Sequence, residues 1–529
     1  MILSNKGLED KKAWIEKGYS LPQFDREEVI RKTKEEPVWV HFGIGNIFRA
    51  YMCSCAQKML DEGYMDKGII AVEGYDGEIV EHVCHKHDNY SILVTLKPDG
   101  AVDKKVIGSI TEALKLEGAE FERVKEIFLS QSLQLASFTI TEKGYDVSAE
   151  SSAVAADIEA GPQNAMSYMG KIAALLYERY RKGAEPIAMV SMDNCSNNGD
   201  KLKNAVMVYA DGWCRSHKAE PEFLEYLCDT SKVSFPRTMI DKITPRPDGV
   251  VLDILKKDGL TDQEPFVTAK NTYIAPFVNA EQTEYLVIQD CFPNGRPELE
   301  KARVMFTDKN TVDKVERMKV CTCLNPLHTA LAVFGCLLGY DRISEEMDNP
   351  TLKKLVERIG YMEGLPVVTD PEIIDPKTFL NQVITCRMPN PFMPDTPTRI
   401  ATDTSQKLAV RFGETIKAYM DSTTLSVKDL KMIPLVFAGW LRYLMGIDDA
   451  GNAFEPSPDP MLEALTLYVK TIKFGDTVSN DYFDDLYKNP KIFGVNLYAA
   501  GLADLVTSYF NEMIKGQGAV DITLKKYVN

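Results

Sequence analysis

Two stretches of the sequence hold side chains whose types and spacing could do chemistry. In ERMKVCTCLNPLHTALAVFG, Lys319, Asn325 and His328 stand ahead of a long apolar run. An amine can take a proton from an alcohol, and amide NH2 groups can hold the oxygen left behind, so these three are hard to explain as core. In EHVCHKHDNY, His82, Cys84, His85 and His87 are the dense candidates for zinc ligands. Their spacing is irregular and their neighbourhood reads as a polar helix end, so the expectation is a site without metal.

A third stretch suits binding rather than reaction. VWVHFGIGNIFRAYM reads as a buried strand, a turn with Gly43 and Gly45, and a helix opening near Asn46. Glycines there let the backbone approach a pyrophosphate at the helix N-terminus. Two glycines can also simply make a tight turn, but here they follow the first strand of a sheet, Arg49 sits one helical turn beyond, and the next strand, GIIAVE at 68–73, ends in Glu73. A carboxylate at that point can accept both hydroxyls of an adenosine ribose and repels a 2′-phosphate, which points to NAD over NADP. The plain alternative is a solvated strand-end Glu.

The elements that must position these residues follow from patterning. Apolar runs at 38–42, 68–73, 91–96, 135–141 and 186–192 alternate with helical segments, as a parallel sheet with crossover helices requires. In the segment 165–182, Met166, Met169, Ile172, Leu175, Leu176 and Tyr180 recur at roughly helical spacing, predicting one face packed on that sheet. Beyond about residue 300 strand-like runs thin out and long helical patterns dominate. The expected fold is therefore α/β. A Rossmann-like dinucleotide-binding domain with a mostly parallel sheet spans 1–298, and a mostly α-helical domain spans 299–529, the boundary lying in the turn-rich CFPNGRPELE.

Composition narrows the class. A chain of 529 residues, 45% of them hydrophobic, is too large for a small binding module. A net charge of -16 disfavours nucleic acid. The first twenty residues carry scattered charge and do not read as an export signal. Leu324 to Tyr340 is interrupted by Asn325, Pro326, His328 and Thr329 and reads as a core helix, with no membrane partner. Eleven cysteines, an odd number without framework spacing, fit a reducing, cytoplasmic compartment. Exposed heptads, charge blocks and repeats, the marks of a structural protein, are not found.

Longer motifs carry a resemblance. TITEKGY at 139–145, SMDNCSNNG at 191–199, FPRTMIDKITP at 235–245, RMPNPFMPDTPTRIATDTSQK at 387–407 and the Lys/Asn/His segment together resemble the polyol-specific long-chain dehydrogenases, the mannitol dehydrogenase family, over most of the chain. The resemblance implies metal-independent hydride transfer with NAD, with Lys319 as general acid/base. It also implies Asn194 and Asn325 holding the reacting oxygen, His328 orienting substrate or lysine, Glu316 assisting proton passage, and Glu142 on the cofactor side with Gly43, Gly45, Asn46, Arg49 and Glu73. A non-catalytic nucleotide sensor would keep the glycine turn without needing the lysine. The family usually places four residues between the Lys and the Asn, whereas VCTCL places five. At ~100° per residue on a straight helix the three side chains would spread over about 180° instead of about 140°. The sequence therefore predicts a helix irregularity between Lys319 and Asn325, with Pro326 opening a new helix capped by Asn325 or lying beside a π-bulge.

Substrate choice turns on charge. Within the family's chemistry, a keto sugar acid reduced to an aldonate (fructuronate/mannonate type) carries a carboxylate, whereas a hexitol, the alternative substrate for a mannitol-type 2-dehydrogenase, does not. Arg237 can clamp a carboxylate bidentately, or equally pair with an internal acid. Arg387 and Lys407 lie in motifs shared across the family and suit hydroxyl contacts or holding the domains together rather than selecting a carboxylate. The expected partner is thus a small sugar acid or polyol, bound by a monomer or homodimer.

Overall fold

The computed structural model describes every residue except 149. A six-stranded sheet dominates its first half: β1 Trp39–Phe42, β2 Ile69–Glu73, β3 Ile110–Lys115, β4 Leu135–Phe138, β5 Ile187–Ser191 and β6 Val233–Ser234. All neighbours are parallel, in the order β3-β2-β1-β4-β5-β6. This is the doubly wound dinucleotide-binding order, whose direction reverses between β1 and β4. Every residue of β1, β2, β4 and β5 is buried, as strands covered on both faces require.

Four of the five expected runs supply β1, β2, β4 and β5. The fifth, SILVTL, forms the strand Ser91–Leu96 in another sheet, antiparallel to Val102–Ile107 and parallel to Phe277–Glu281. The parallel sheet instead takes β3 from ITEALK, whose burial is broken at Glu112 and Lys115. An edge strand needs a less continuous apolar run, which is why that segment does not stand out. Helix α1, Tyr168–Gly183, begins where Ser167 accepts a hydrogen bond from the Gly170 amide, and buries Met169, Ile172, Leu175 and Leu176; helix α2, Asn198–Arg215, follows β5. Met166, expected on this face, precedes the cap and is 75% exposed.

The chain divides into two compact units, residues 1–97 with 101–313, and 314–529 with 98–100. The division lies beyond the turn at 291–300 because the strand Met305–Thr307 still pairs with Tyr285–Gln289. The second unit is helical. Its helices α3, Asn325–Leu338, and α4, Met432–Tyr443, are almost wholly buried. Residues 309–338 are long and apolar enough to cross a membrane by length and composition, but that apolar window is 78% buried, as in a core helix.

Candidate active site

The glycine turn follows β1 at the reversal of the sheet, and the helix beyond it opens at Asn46. Gly43 has φ +100, and a Cβ there would lie 2.3 Å from the Thr139 carbonyl oxygen, so only glycine fits. Gly43 N–H donates to the Val72 carbonyl at 2.8 Å. Glu73 stands at the end of β2 as expected, but its carboxylate faces protein backbone. One oxygen accepts from Ile44 N at 2.8 Å, and the other from Tyr75 N at 2.8 Å and Asp76 N at 3.2 Å. Burial pushes its pKa up, against the lowering effect of these three amides. The ribose-clamp reading of Glu73 therefore gives way to one in which it anchors the turn. Arg49 is corrected similarly. Its guanidinium is fully buried and donates to the Ala275 carbonyl at 2.8 Å and to Asn46 Oδ1 at 3.0 Å, so it braces the turn from behind.

Loops at the carboxyl edge of β4 and β5 form the next part of the site. Asp193 accepts from Ile140 N and Thr141 N, each at 2.9 Å, and from the Tyr145 hydroxyl at 2.5 Å, binding TITEKGY to SMDN. Asn198, fully buried, donates to the Asp193 carbonyl at 3.0 Å and to Thr238 Oγ1 at 2.8 Å, joining FPRTMID to the same cluster. Neither residue was singled out in the sequence; their signal was the run of Asp and Asn flanking Asn194, which also reads as turn formers. Asn194 is exposed and lines a cavity of about 270 Å³ together with Ile47, Thr141, Glu142, Met192 and Lys242. Glu142 pairs with Lys201 at the edge of this cavity.

Arg237 is not an open cation. It is 7% exposed and donates to both Asp200 and Asp313. Burial lowers its pKa, but the hydrogen bonds and charges of the two acids outweigh that and leave it raised. The internal pairing is realised, and the substrate-clamp reading is withdrawn.

In the second unit, the predicted irregularity is present. Lys319–Cys323 is a π-helical turn in which Leu324 N–H reaches back to the Lys319 carbonyl at 3.1 Å. Leu324 breaks away at φ -129, and α3 restarts with Pro326 in its first turn. The cap position falls on Leu324 rather than Asn325, whose carbonyl accepts from Thr329 Oγ1. A π turn takes one more residue than an α turn, so the fifth residue of VCTCL is absorbed where Lys319 sits. Lys319 is 5% exposed. His328 is 8% exposed, with Nε2 3.9 Å from Asp395 Oδ2. Burial lowers its pKa to about 4 despite that carboxylate, with Arg387, Arg411 and Arg399 adding to the effect, so the imidazole is neutral at physiological pH. Arg387 is 2% exposed. Lys407 donates to the Thr402 and Ile400 carbonyls, and burial lowers its pKa.

The histidine-rich stretch does not converge. His85 Nε2 bonds the Ala113 carbonyl, His87 Nδ1 bonds the Leu3 carbonyl, and His82 packs edge-on against Phe266.

The family model for the mannitol dehydrogenase Rossmann domain matches residues 38–301, and that for the mannitol dehydrogenase C-terminal domain matches 311–497. The chain belongs to the mannitol dehydrogenase family. It is therefore an oxidoreductase. It is 51% identical to the D-mannonate oxidoreductase of Thermotoga maritima, an alignment covering 100% of this chain and 99% of the relative. The polyol:NADP oxidoreductase of Gluconobacter oxydans is 29% identical over 85% of this chain and 88% of its own length. Among solved structures, the Pseudomonas fluorescens mannitol 2-dehydrogenase complex with NAD and D-mannitol shares the family fold, with a TM-score of 0.69, 24% identity and 99% of each chain covered.

Proposed function

We propose that this member of the mannitol dehydrogenase family reduces a keto sugar acid of the fructuronate type to the corresponding mannonate with NADH, without a metal. The observation that carries the reading is the 51% identity to a D-mannonate oxidoreductase over the whole chain. The doubly wound sheet with its glycine turn fits a dinucleotide, which Gly43, Gly45, Asn46 and Glu142 would hold and which supplies the hydride. NAD is the cofactor, as in the mannitol 2-dehydrogenase complex that shares this fold. The eleven free cysteines suit a cytoplasmic setting.

Lys319 is the proton carrier in this reading. In the reducing direction the ammonium of Lys319 gives its proton to the carbonyl oxygen as charge develops there. Asn194 and Asn325 donate from their amide groups to the same oxygen, adding no titratable charge. His328, held neutral, orients the substrate hydroxyls or the lysine, and Arg387 and Lys407 contact the remaining polar groups of the sugar acid.

The test is NADH oxidation with fructuronate by wild type and Lys319→Ala, each with and without a chelator. Loss of a proton carrier is expected to lower kcat by about 10²–10⁴-fold, with no effect of the chelator. A variant that retains wild-type kcat, or a wild type silenced by chelation, would contradict the mechanism.

A further inference from the structure

Four side chains form a directed hydrogen-bond chain beneath the glycine turn. Trp39 Nε1 donates to Ser137 Oγ at 2.7 Å, and Ser137 Oγ lies 2.6 Å from His41 Nδ1. His41 Nε2 lies 2.9 Å from Thr139 Oγ1, which donates to the Gly43 carbonyl at 3.2 Å. The ends fix the direction, since an indole N–H can only donate and a carbonyl can only accept. Thr139 gives its one hydrogen to Gly43, so it accepts from His41 Nε2–H. His41 Nδ1 then accepts from the Ser137 hydroxyl, which accepts from Trp39. Every group is satisfied with a neutral His41 protonated on Nε2. The ring is fully buried and stacked on Phe48 at 3.9 Å, and burial lowers its pKa to about 3, which keeps it in that state.

Polar side chains in the two central strands of a buried sheet are costly unless fully bonded, and apolar residues would serve packing alone. The chain ends on one particular peptide. Its carbonyl, Gly43 C=O, is held by Thr139, and its N–H, on Ile44, is held from the opposite side by Glu73 at 2.8 Å. A trans peptide is planar, so fixing both ends fixes its rotation. That rotation sets the direction of the next amides, Gly45 and Asn46, which open the helix.

We propose that His41, Thr139 and Glu73 are positioning residues that clamp the Gly43–Ile44 peptide and so pre-form the cradle for the dinucleotide pyrophosphate. The inference rests on the dinucleotide reading of the preceding section. A pre-formed cradle lowers the ordering cost of binding, so the clamp acts on cofactor affinity and leaves the chemical step alone.

The experiment is titration of purified full-length protein with NADH, followed by quenching of tryptophan fluorescence, alongside thermal melting and steady-state kinetics. Thr139→Val keeps the shape and removes the hydroxyl; it is expected to raise the Kd and KM for NADH by about tenfold, with kcat at saturating NADH within about twofold. Thr139→Ser restores the hydroxyl and is expected to restore the Kd to within about twofold of wild type. Thr139→Ala serves as a second variant should the valine protein not fold. A folded Thr139→Val or Thr139→Ala protein that melts lower yet binds NADH like wild type would overturn the clamp and leave a merely structural network. Wild-type protein that binds neither NADH nor NADPH would overturn the dinucleotide reading itself, and the clamp with it.

Discussion

Arg237 shows how a residue can be legible in type and misread in role. Its guanidinium suits a substrate carboxylate, but the competing acids, Asp200 and Asp313, lie 37 positions before it and 76 after it, where no local pattern reveals them. Arg237→Ala is expected to cost about 1–2 kcal/mol of stability through lost packing and pairing. It should leave the ratio of keto-acid to ketose kcat/KM within about twofold of wild type. A selective collapse of the keto-acid activity would return Arg237 to the substrate. Glu346 is a second buried ionisable group with a measurable consequence. It is 0% exposed, and neither carboxyl oxygen has a hydrogen-bond partner among the described residues. Burial, then the charge of Glu345, pushes its pKa well up. The unfolded chain ionises this group at its ordinary value, so above that pH the unfolded state binds fewer protons than the folded state. Stability then falls as pH rises, by up to about 1.4 kcal/mol per pH unit until the folded group ionises. Glu346→Gln should match wild type near pH 5 and melt higher at pH 8, and parallel melting curves at the two pH values would refute this.

At the scale of elements, the π turn at 319–323 is the clearest case of a feature readable in advance. One residue too many between Lys319 and Asn325 demanded an irregularity, and Pro326 marked where the helix had to restart. The cap position was misplaced by one residue because Leu324, not a polar side chain, holds the non-helical backbone. Deleting Thr322 should convert the turn to α geometry and rotate Lys319 by about 100° relative to α3. Activity is expected to fall more than about a hundredfold while the protein stays folded; a deletion variant with near-wild-type kcat would show that the phase of this helix does not matter. Glu363 illustrates what sequence could not reveal. Its buried carboxylate accepts from the amides of Lys431, Met432 and Ile433 at 2.7, 2.7 and 2.9 Å, capping α4 from 68 to 70 residues away. Glu363→Ala should cost about 2–3 kcal/mol in denaturant unfolding, since it strands two buried donors and one part-buried one. A loss within error of zero would contradict the cap.

At the scale of the molecule, the alternation of buried strands and crossover helices made the nucleotide-binding fold readable, because strands covered on both faces must be continuously apolar. It failed at the edges. SILVTL is as apolar as a central strand yet pairs in a second sheet, while the edge strand ITEALK was too polar to attract notice. The long motifs TITEKGY, SMDN and FPRTMID meet at one sheet edge, whereas the ligand readings of the single residues Glu73 and Arg49 misled, because their partners include backbone groups that no side-chain pattern reveals. Initial-rate kcat/KM values for fructuronate, tagaturonate and fructose, each with NADH and with NADPH, decide the substrate assignment. Fructuronate with NADH is expected to lead by at least about a hundredfold over fructose, with NADPH poorer than NADH. A preference for fructose would contradict the sugar-acid assignment, and a preference for NADPH would contradict the assignment of NAD as cofactor.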